Sequence, residues 1–202
     1  MADTGAPWNI PFVEPTDLVR DYPAADEAQA LAVAAGLSAA GGLVAVKSAI
    51  FTGVQTISIA AGGNAAVEDL TISHALADAS NRLIISAFFG AVGNSGGSGQ
   101  TGIAIHDGTG LIAVGAADGA RTRVAAGGSV TQIGTIPERV VAMPSITFVH
   151  SPGDTSERTY TVRAVNIRGE SRTTFINRSE SDANSAANAR AVSSLVIQEV
   201  KV

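Results

Sequence analysis

Residues 139–202 read RVVAMPSITFVHSPGDTSERTYTVRAVNIRGESRTTFINRSESDANSAANARAVSSLVIQEVKV. Apolar residues such as Ile146 and Phe148 alternate with polar ones, and the same alternation recurs in 157–167. A period of two turns one face of a strand toward a core and the other toward water. The stretch therefore predicts an antiparallel meander, to which a last strand at 194–202 returns.

Turn residues separate these runs, with Ser-Pro-Gly-Asp at 151–154 and Arg-Gly-Glu at 168–170. Upstream the same pattern of short strands and turn signals continues from residue 43. The strands predicted for the whole chain are 43–50, 54–60, 67–73, 82–92, 101–106, 111–116, 120–125, 129–135, 139–150, 157–167, 171–178 and 194–202. Such spacing is typical of sandwiches and jelly rolls. We expect a mostly β fold, with an antiparallel, jelly-roll-like β-sandwich over 42–202.

Composition excludes several classes of function. The chain has 202 residues, a net charge of −5 and scattered basic residues, which argues against a nucleic-acid surface. It has no cysteine, so disulfides and thiolate metal sites are ruled out. It has neither an apolar run long enough to span a membrane nor a signal-peptide pattern. We expect synthesis in a cytoplasm and no membrane partner.

Residues 1–23 differ in character from the rest of the chain. Four prolines fix φ and favour extended backbone, so neither a helix nor a central strand is expected. The large apolar side chains of this segment are Trp8, Ile10, Phe12, Val13, Leu18 and Tyr22. The segment is either a strap across its own domain or a docking peptide that inserts into another protein. We favour docking, because interfaces use such aromatic anchors.

Residues 24–41 predict one short Ala-rich helix. Asp21 is a candidate N-cap, and a pair of glycines ends the pattern. Ala28, Leu31 and Ala35 share one stripe of mostly small side chains. An isolated helix of this length is marginal in water. It must therefore pack on the sandwich or associate with copies of itself, and both alternatives stay open.

The Gly/Ser-rich stretch 90–99 predicts a loop at one end of the sandwich. Loops of this kind often carry recognition, although flexible filler is the commoner explanation for such a stretch. The polar residues that would contact a receptor here are Asn94, Ser95, Ser98 and Gln100. GSGQTG at 97–102 matches a dinucleotide-binding pattern, but the strand that follows it lacks the required helix N-terminus.

No catalytic, cofactor-binding or metal-binding residue is predicted. His74, His106 and His150 lack metal-ligand spacing, and each is expected at a strand end or turn. Aromatics make up 4% of the chain, which argues against a cleft for glycoside cleavage. Asn177 begins an N-glycosylation pattern, which we expect to be idle without a signal peptide.

Two blocks carry a resemblance to a known class of proteins. The first is GAPWNIPFVEPTDLVRDYPAADEAQALAVAAGLSAAG at 5–41. The second is the meander with TYTVRAVN, FINRSESDAN and ARAVSSLVIQEV, and VGAADGARTR at 114–123 also agrees. Together they resemble small tail-fibre or minor tail proteins of tailed bacteriophages, whose relatives also occur as head fibres. The resemblance implies a homotrimer that is attached by its N-terminus, with the sandwich pointing outward.

The resulting expectation is a non-enzymatic virion protein, a trimeric tail fibre or tip protein that helps host attachment. Its expected partners are copies of itself, other phage structural proteins that its N-terminus contacts, and a host surface glycan or receptor. One alternative is a capsid head fibre or decoration protein. A second alternative, from another class, is a carbohydrate-active enzyme on a β-sandwich.

Overall fold

The computed structural model of the chain describes residues 2–3, 11–12, 31–32, 42–95, 100–128, 141–184, 188 and 190–202. These residues are mostly β. The strands are β1 (Ala2–Asp3), β2 (Pro11–Phe12), β3 (Leu43–Phe51), β4 (Gln55–Ile59), β5 (Asn64–His74), β6 (Arg82–Phe88), β7 (Val92–Asn94), β8 (Thr101–His106), β9 (Leu111–Ile112), β10 (Ala126–Gly128), β11 (Ser145–His150), β12 (Arg158–Asn166), β13 (Arg172–Ile176) and β14 (Ser193–Val200).

The strands of the β domain form three sheets, and every strand pair in the described ranges is antiparallel. Sheet I has the order β11-β6-β14-β3, and sheet II has the order β10-β8-β12-β5 with β9 added to β8. Sheet III has the order β4-β13-β7. The last strand, β14, thus lies between β6 and the first long strand, β3. The predicted antiparallel, mostly β class is confirmed.

All three sheets contribute to one hydrophobic cluster. Alternate residues of each long strand are buried in it, as the period of two requires. Its members include Leu83, Ile85, Leu195 and Ile197 from sheet I, Leu70, Ile72, Ile103, Ile105, Tyr160 and Val162 from sheet II, and Ile59 and Ile176 from sheet III. Burying each such side chain contributes roughly 1.5–3 kcal/mol, so this cluster is what holds the sheets together.

Several predicted strand boundaries are wrong. The predicted strand 82–92 is two strands, β6 and β7, which belong to different sheets. Of 111–116 only Leu111–Ile112 is a strand, because Ala113 has a φ of 54° and turns the chain away. Residues 120–125 are irregular, and the strand begins at Ala126. In the described part of the predicted strand 139–150, which starts at residue 141, the strand begins at Ser145, directly after a proline. The predicted strand 129–135 lies outside the described residues.

The N-terminal predictions fall almost entirely outside the described residues. Of segment 1–23, Ala2–Asp3 and Pro11–Phe12 are described, and they pair with each other. Of segment 24–41, residues 31–32 are described; they are helical, and Leu31 is exposed. The extended docking segment and the Ala-rich helix both stay predictions. The described residues contain no helix long and apolar enough to cross a membrane.

Candidate interaction surface

The three histidines each end a strand, as predicted: His74 ends β5, His106 ends β8 and His150 ends β11. His74 is buried, and its Nε2 lies 2.9 Å from Oε2 of Glu199, which is also buried. The other Glu199 oxygen accepts hydrogen bonds from the Ala77 amide at 2.8 Å and from Asn81 Nδ2 at 2.6 Å. Burial alone would raise the pKa of Glu199, but these hydrogen bonds outweigh it and lower the pKa. This carboxylate therefore fastens the β5–β6 turn to β14.

A second polar cluster closes the turn between β8 and β9, which lies at the same end of sheet II. Asp107 is buried, and its Oδ1 accepts hydrogen bonds from the Thr109 amide, the Thr109 hydroxyl and the Gly110 amide. Its Oδ2 lies 3.1 Å from Nη1 of Arg158, whose Nη2 binds Asp154 at 2.9 Å. Burial raises the pKa of Asp107, but the Thr109 and Gly110 hydrogen bonds and Arg158 together lower it to about 2. Both oxygens are thus committed to structural contacts.

His150 lies beside this cluster, edge-on to Tyr160 with ring centroids 5.9 Å apart. Burial lowers the pKa of His150; the nearby Asp107 opposes this effect and Arg158 adds to it. Burial also raises the pKa of Tyr160 to about 12. At neutral pH both side chains are therefore uncharged, and they pack at the rim of the core.

Two fully buried asparagines join separate parts of the chain. Asn166 Nδ2 donates to the backbone oxygens of Ile59 and Ala60 at 3.1 Å and to that of Glu170 at 2.8 Å. Asn177, with a φ of 62°, donates through Nδ2 to the backbone oxygens of Phe51 and Gly53. The Asn177 amide of the glycosylation pattern is therefore buried and already engaged in holding the β3–β4 connection.

A shallow groove of about 470 Å³ lies between the β4–β5 turn, the β12–β13 turn and residues 120–122. Arg121 and Arg168 line it together with the Thr122 hydroxyl and glycine backbone. Arg121 already pairs with Asp118, and Arg168 lies 3.8 Å from Glu170. The groove offers hydrogen bonds to a small polar group, but its positive charges are largely compensated.

The most unusual surface is the outer face of sheet I, which is the face turned away from the core. Its apolar members are Leu43, Val46, Ile50, Ile84, Phe88, Val149, Val196 and Val200. Val46 is 53% exposed, Ile50 60%, Val149 59% and Phe88 41%. Scattered exposed apolar residues are normal, but a sheet face on which several of them gather among uncharged polar side chains is a candidate interaction surface.

The register of sheet I places these side chains in rows across the four strands. One row runs Val149, Ile84, Gln198, Val46, and another runs Ser145, Phe88, Ser194, Ile50. The row between them is Thr147, Ser86, Val196, Ser48. Within the four described strands, Arg82 is the one charged residue whose side chain alternates onto this face. Lys47 and Glu199 point the other way, since Lys47 Nζ donates to the Ser73 oxygen and Glu199 binds His74.

The outer face of sheet II is of the opposite kind. Thr71 and Thr161 share a hydrogen bond of 3.2 Å between their hydroxyls, and Ser73 and Thr159 share one of 3.1 Å. Thr71 and Ser73 are exposed. These hydroxyl groups already make hydrogen bonds within the sheet and can contact water, so this face needs no protein partner. Sheet I also carries one such hydroxyl pair, Ser86 and Thr147, whose oxygens lie 2.9 Å apart. Its outer face differs in the exposed apolar side chains that lie on either side of this pair, such as Phe88 and Val149.

The sequence alone did not identify this apolar face. The local signal for it exists, because Leu195, Val196 and Ile197 are consecutive apolar residues in β14, and Val44 to Val46 are likewise apolar in β3. A strand whose residues are apolar on both sides of the sheet is typical of a sheet that is covered on both faces. Which strands lie side by side, however, depends on pairing between distant segments.

Two of the predicted receptor residues, Asn94 and Ser95, lie at the edge of sheet III. Asn94 is buried; its Nδ2 donates to the Gln100 oxygen at 2.9 Å and its Oδ1 accepts from the Thr101 hydroxyl at 2.9 Å. Ser95 accepts a hydrogen bond from the Thr173 amide. Asn94 and Ser95 therefore position the loop, while Ser98 lies outside the described residues. Receptor contact by this loop stays a prediction.

The other predicted site residues belong to the N-terminal segment 1–23 and to the predicted helix 24–41. Trp8, Ile10, Val13, Leu18, Tyr22, Ala28 and Ala35 lie outside the described residues. Among the residues that are described, no three His, Asp or Glu side chains are grouped so that they could hold a metal ion.

No protein-family model matches the chain, and no curated protein matches it.

Proposed function

We propose that this chain is a non-enzymatic structural protein of a bacteriophage virion, a trimeric tail fibre or tip protein that contributes to host attachment. The observation that carries this proposal is the exposed, nearly uncharged apolar outer face of sheet I. A domain with such a face needs protein partners to cover it. Assembly into a larger particle supplies them.

The buried polar groups support a structural role in a second way. Four buried polar side chains make hydrogen bonds to backbone amides, carbonyls and neighbouring side chains and so fasten turns to strands. They belong to Asp107, Asn166, Asn177 and Glu199. A catalytic acid or nucleophile needs a free atom aimed into a cleft. The groove lined by Arg121 offers none, because its charged side chains are arginines paired with carboxylates.

The fold we propose is a jelly-roll-like sandwich in which sheet I faces sheet II. The shared core supports it, since Ile85 and Ile197 of one sheet and Ile105 and Val162 of the other belong to one cluster. The resemblance of 5–41 and of the C-terminal meander to phage tail proteins supports the virion role. We assign particle attachment to 1–23 and association with copies to 24–41 and to the apolar face.

The test is the position of the chain on assembled particles. Electron cryo-microscopy of the intact virion should show density for this protein at the tail tip or tail fibres. Density on the capsid would favour the head-fibre or decoration alternative, and absence from purified particles would overturn the proposal. Sustained turnover of host-wall glycans by the purified protein would instead favour the carbohydrate-active enzyme.

A further inference from the structure

We infer that the groove between the β4–β5 turn, the β12–β13 turn and residues 120–122, which we call the arginine groove, binds an anionic sugar. The ligand is a single sugar ring that carries a carboxylate or a phosphate group. The inference goes beyond the proposed function and does not depend on it, because a small-molecule site of this kind acts wherever the chain is located.

Two walls of the arginine groove are joined by the buried side chain of Asn166. Its Nδ2 donates to the backbone oxygens of Ala60 in the β4–β5 turn and Glu170 in the β12–β13 turn, and its Oδ1 accepts from the Arg168 amide at 3.0 Å. The Gly62 amide also donates to the Arg168 oxygen at 3.2 Å. These bonds hold the two turns in one arrangement before a ligand arrives, so binding costs little ordering of the chain.

The arginine groove has room for a ligand larger than a bare ion. Its volume of about 470 Å³ lies in the range of small-molecule sites. Gly62 has a φ of 63°, and a Cβ there would stand 3.1 Å from Oγ1 of Thr122 on the facing wall. A Cβ on Gly169 would meet nothing within 4 Å. Both turns therefore present backbone without side chains at these positions, and a sugar ring can approach them closely.

Arg168 is the least committed cation of the arginine groove. Its Nε has no hydrogen-bond partner among the described residues. Its Nη1 lies 3.8 Å from Oε1 of Glu170, which is beyond hydrogen-bond distance. That carboxylate oxygen accepts a hydrogen bond from Nη2 of Arg172 instead. The guanidinium of Arg168 is thus available to a ligand.

The ion pairs at the arginine groove leave one positive charge in excess. In the described part of the chain, the guanidinium groups of Arg121, Arg168 and Arg172 share only two carboxylates, those of Asp118 and Glu170. The pair of Arg121 and Asp118 is exposed on both sides. Exposed pairs contribute at most about 1 kcal/mol, so Arg121 can turn to a ligand at little cost.

The two ends of sheet II differ in charge. The three turns at the end opposite the arginine groove contain Asp78, Asp107, Asp154 and Glu157 and neither Lys nor Arg. The whole chain has a net charge of −5. A small anion that approaches this protein is therefore repelled less at the arginine groove than at the other end of the sheet.

The chemistry of the arginine groove matches a sugar with one anionic group. A guanidinium binds a carboxylate or a phosphate through two parallel hydrogen bonds. The Thr122 hydroxyl and the carboxylates of Asp118 and Glu170 accept hydrogen bonds from the hydroxyl groups of a sugar. None of the eight described residues that line the groove is aromatic. A neutral sugar therefore has no ring to stack on, and the charge must supply the affinity.

The first experiment is a titration of the isotope-labelled full chain, followed by the NMR signals of its backbone amides. The probes are glucuronate, glucose 6-phosphate, glucose and inorganic phosphate, each up to about 20 mM, well above the dissociation constant of about 1 mM that a ligand of this size allows. Both acidic sugars should shift the amides of Gly62, Thr122 and Gly169, and glucose should not. The acid that binds more tightly identifies the anionic group.

The second experiment removes one guanidinium at a time. Arg168→Gln and Arg121→Gln lie on two different walls, and each should weaken the binding of glucuronate about tenfold or more, because a hydrogen bond to a charged group is lost. Arg82→Gln is the matched control: it removes the same charge from an exposed position at the other end of the domain and should leave the affinity unchanged. Added salt should weaken binding to the wild type.

Two results would overturn the inference. One is the absence of shifts at the groove with both acidic sugars, and the other is an affinity that survives both Arg168→Gln and Arg121→Gln. Inorganic phosphate that binds as tightly as glucose 6-phosphate would also overturn it, since the groove would then recognise a bare anion. The amide spectrum of each variant shows whether it is folded. Density on the virion tests the proposed function separately, and no result of the titration bears on it.

Discussion

At the scale of single residues, buried polar side chains hold the turns in place at the ends of strands. Asp107 is the clearest case, because one carboxylate accepts three hydrogen bonds from the next turn and pairs with Arg158. The side-chain amide of Asn177 donates the hydrogen bonds that hold the β3–β4 connection. Asparagine tolerates the positive φ at this position better than most residues do. If the hydrogen-bond partners of either residue were removed, a buried polar group would be left unsatisfied and the free energy of unfolding would fall.

Asp107→Asn should change both the stability and its dependence on pH. The pKa of Asp107 is about 2 in the folded chain against an ordinary 3.8, so its charged form stabilises the fold above about pH 4. That contribution is about 2 kcal/mol, and it is lost as the pH falls from about 4 to about 2. The variant should be less stable by about this amount at pH 7, and the gap should close toward pH 2.

Urea unfolding at pH 7, 4 and 2 measures this effect. Asp118→Asn is the control, because Asp118 makes an exposed pair with Arg121 and such pairs contribute at most about 1 kcal/mol. A gap between wild type and Asp107→Asn that stays constant from pH 7 to pH 2 would contradict the assigned role of the charge.

At the scale of elements, the chain must change sheets between β6 and β7, and Gly90 is where it does so. A Cβ on Gly90 would lie 2.3 Å from the Val192 oxygen and 2.9 Å from the Val192 nitrogen, both of which are backbone atoms. The Gly90 amide also bonds to the Ser193 hydroxyl at 3.3 Å. The absence of a side chain lets the crossing pass directly over the segment that enters β14.

Gly90→Ala should lower the free energy of unfolding by about 1–3 kcal/mol, the usual cost of overpacking a closed site. Gly169→Ala is the matched control, because a Cβ there meets nothing within 4 Å. The control should change stability by no more than about 0.5 kcal/mol. Thermal or urea unfolding of both variants measures the difference. Equal stability of the two would show that the backbone at Gly90 can move aside.

At the scale of the whole molecule, we assign attachment to the N-terminal segment and exposure to the β domain. Deleting residues 1–23 should leave a folded β domain that no longer joins the particle. Trp8→Ala combined with Phe12→Ala should have nearly the same effect, since each large side chain that docks contributes roughly 1.5–3 kcal/mol. Prolines in the free segment reduce the entropy that docking costs.

Incorporation is measured by the amount of this protein in purified particles. Met143→Ala is the control, because Met143 is an exposed apolar residue outside the segment and should leave incorporation unchanged. If the truncated chain enters particles normally, the anchor assignment is wrong. If the β domain unfolds without 1–23, the segment is a strap on its own domain.

The sequence by itself determined the class of fold and most of the strands. Alternation in β11, β12 and β14 and the turn residues between strands are local properties, so the antiparallel class could be predicted from them. The positions of the three histidines at strand ends followed from the same pattern. The turn at Asp107-Gly108 could be predicted from the sequence. The contact between Asp107 and Arg158 could not, because the two residues are 51 positions apart in the sequence.

Only the tertiary structure decided which strands lie side by side and therefore which faces remain open. β14 lies between β3 and β6, which brings Val196 beside Ser48 and Ser86 from segments about 110–150 residues away. No local pattern states that Ile50 and Phe88 share an exposed face, or that Asn94 turns inward. Both depend on contacts between distant segments, and these form only when the sheets pack on their common core.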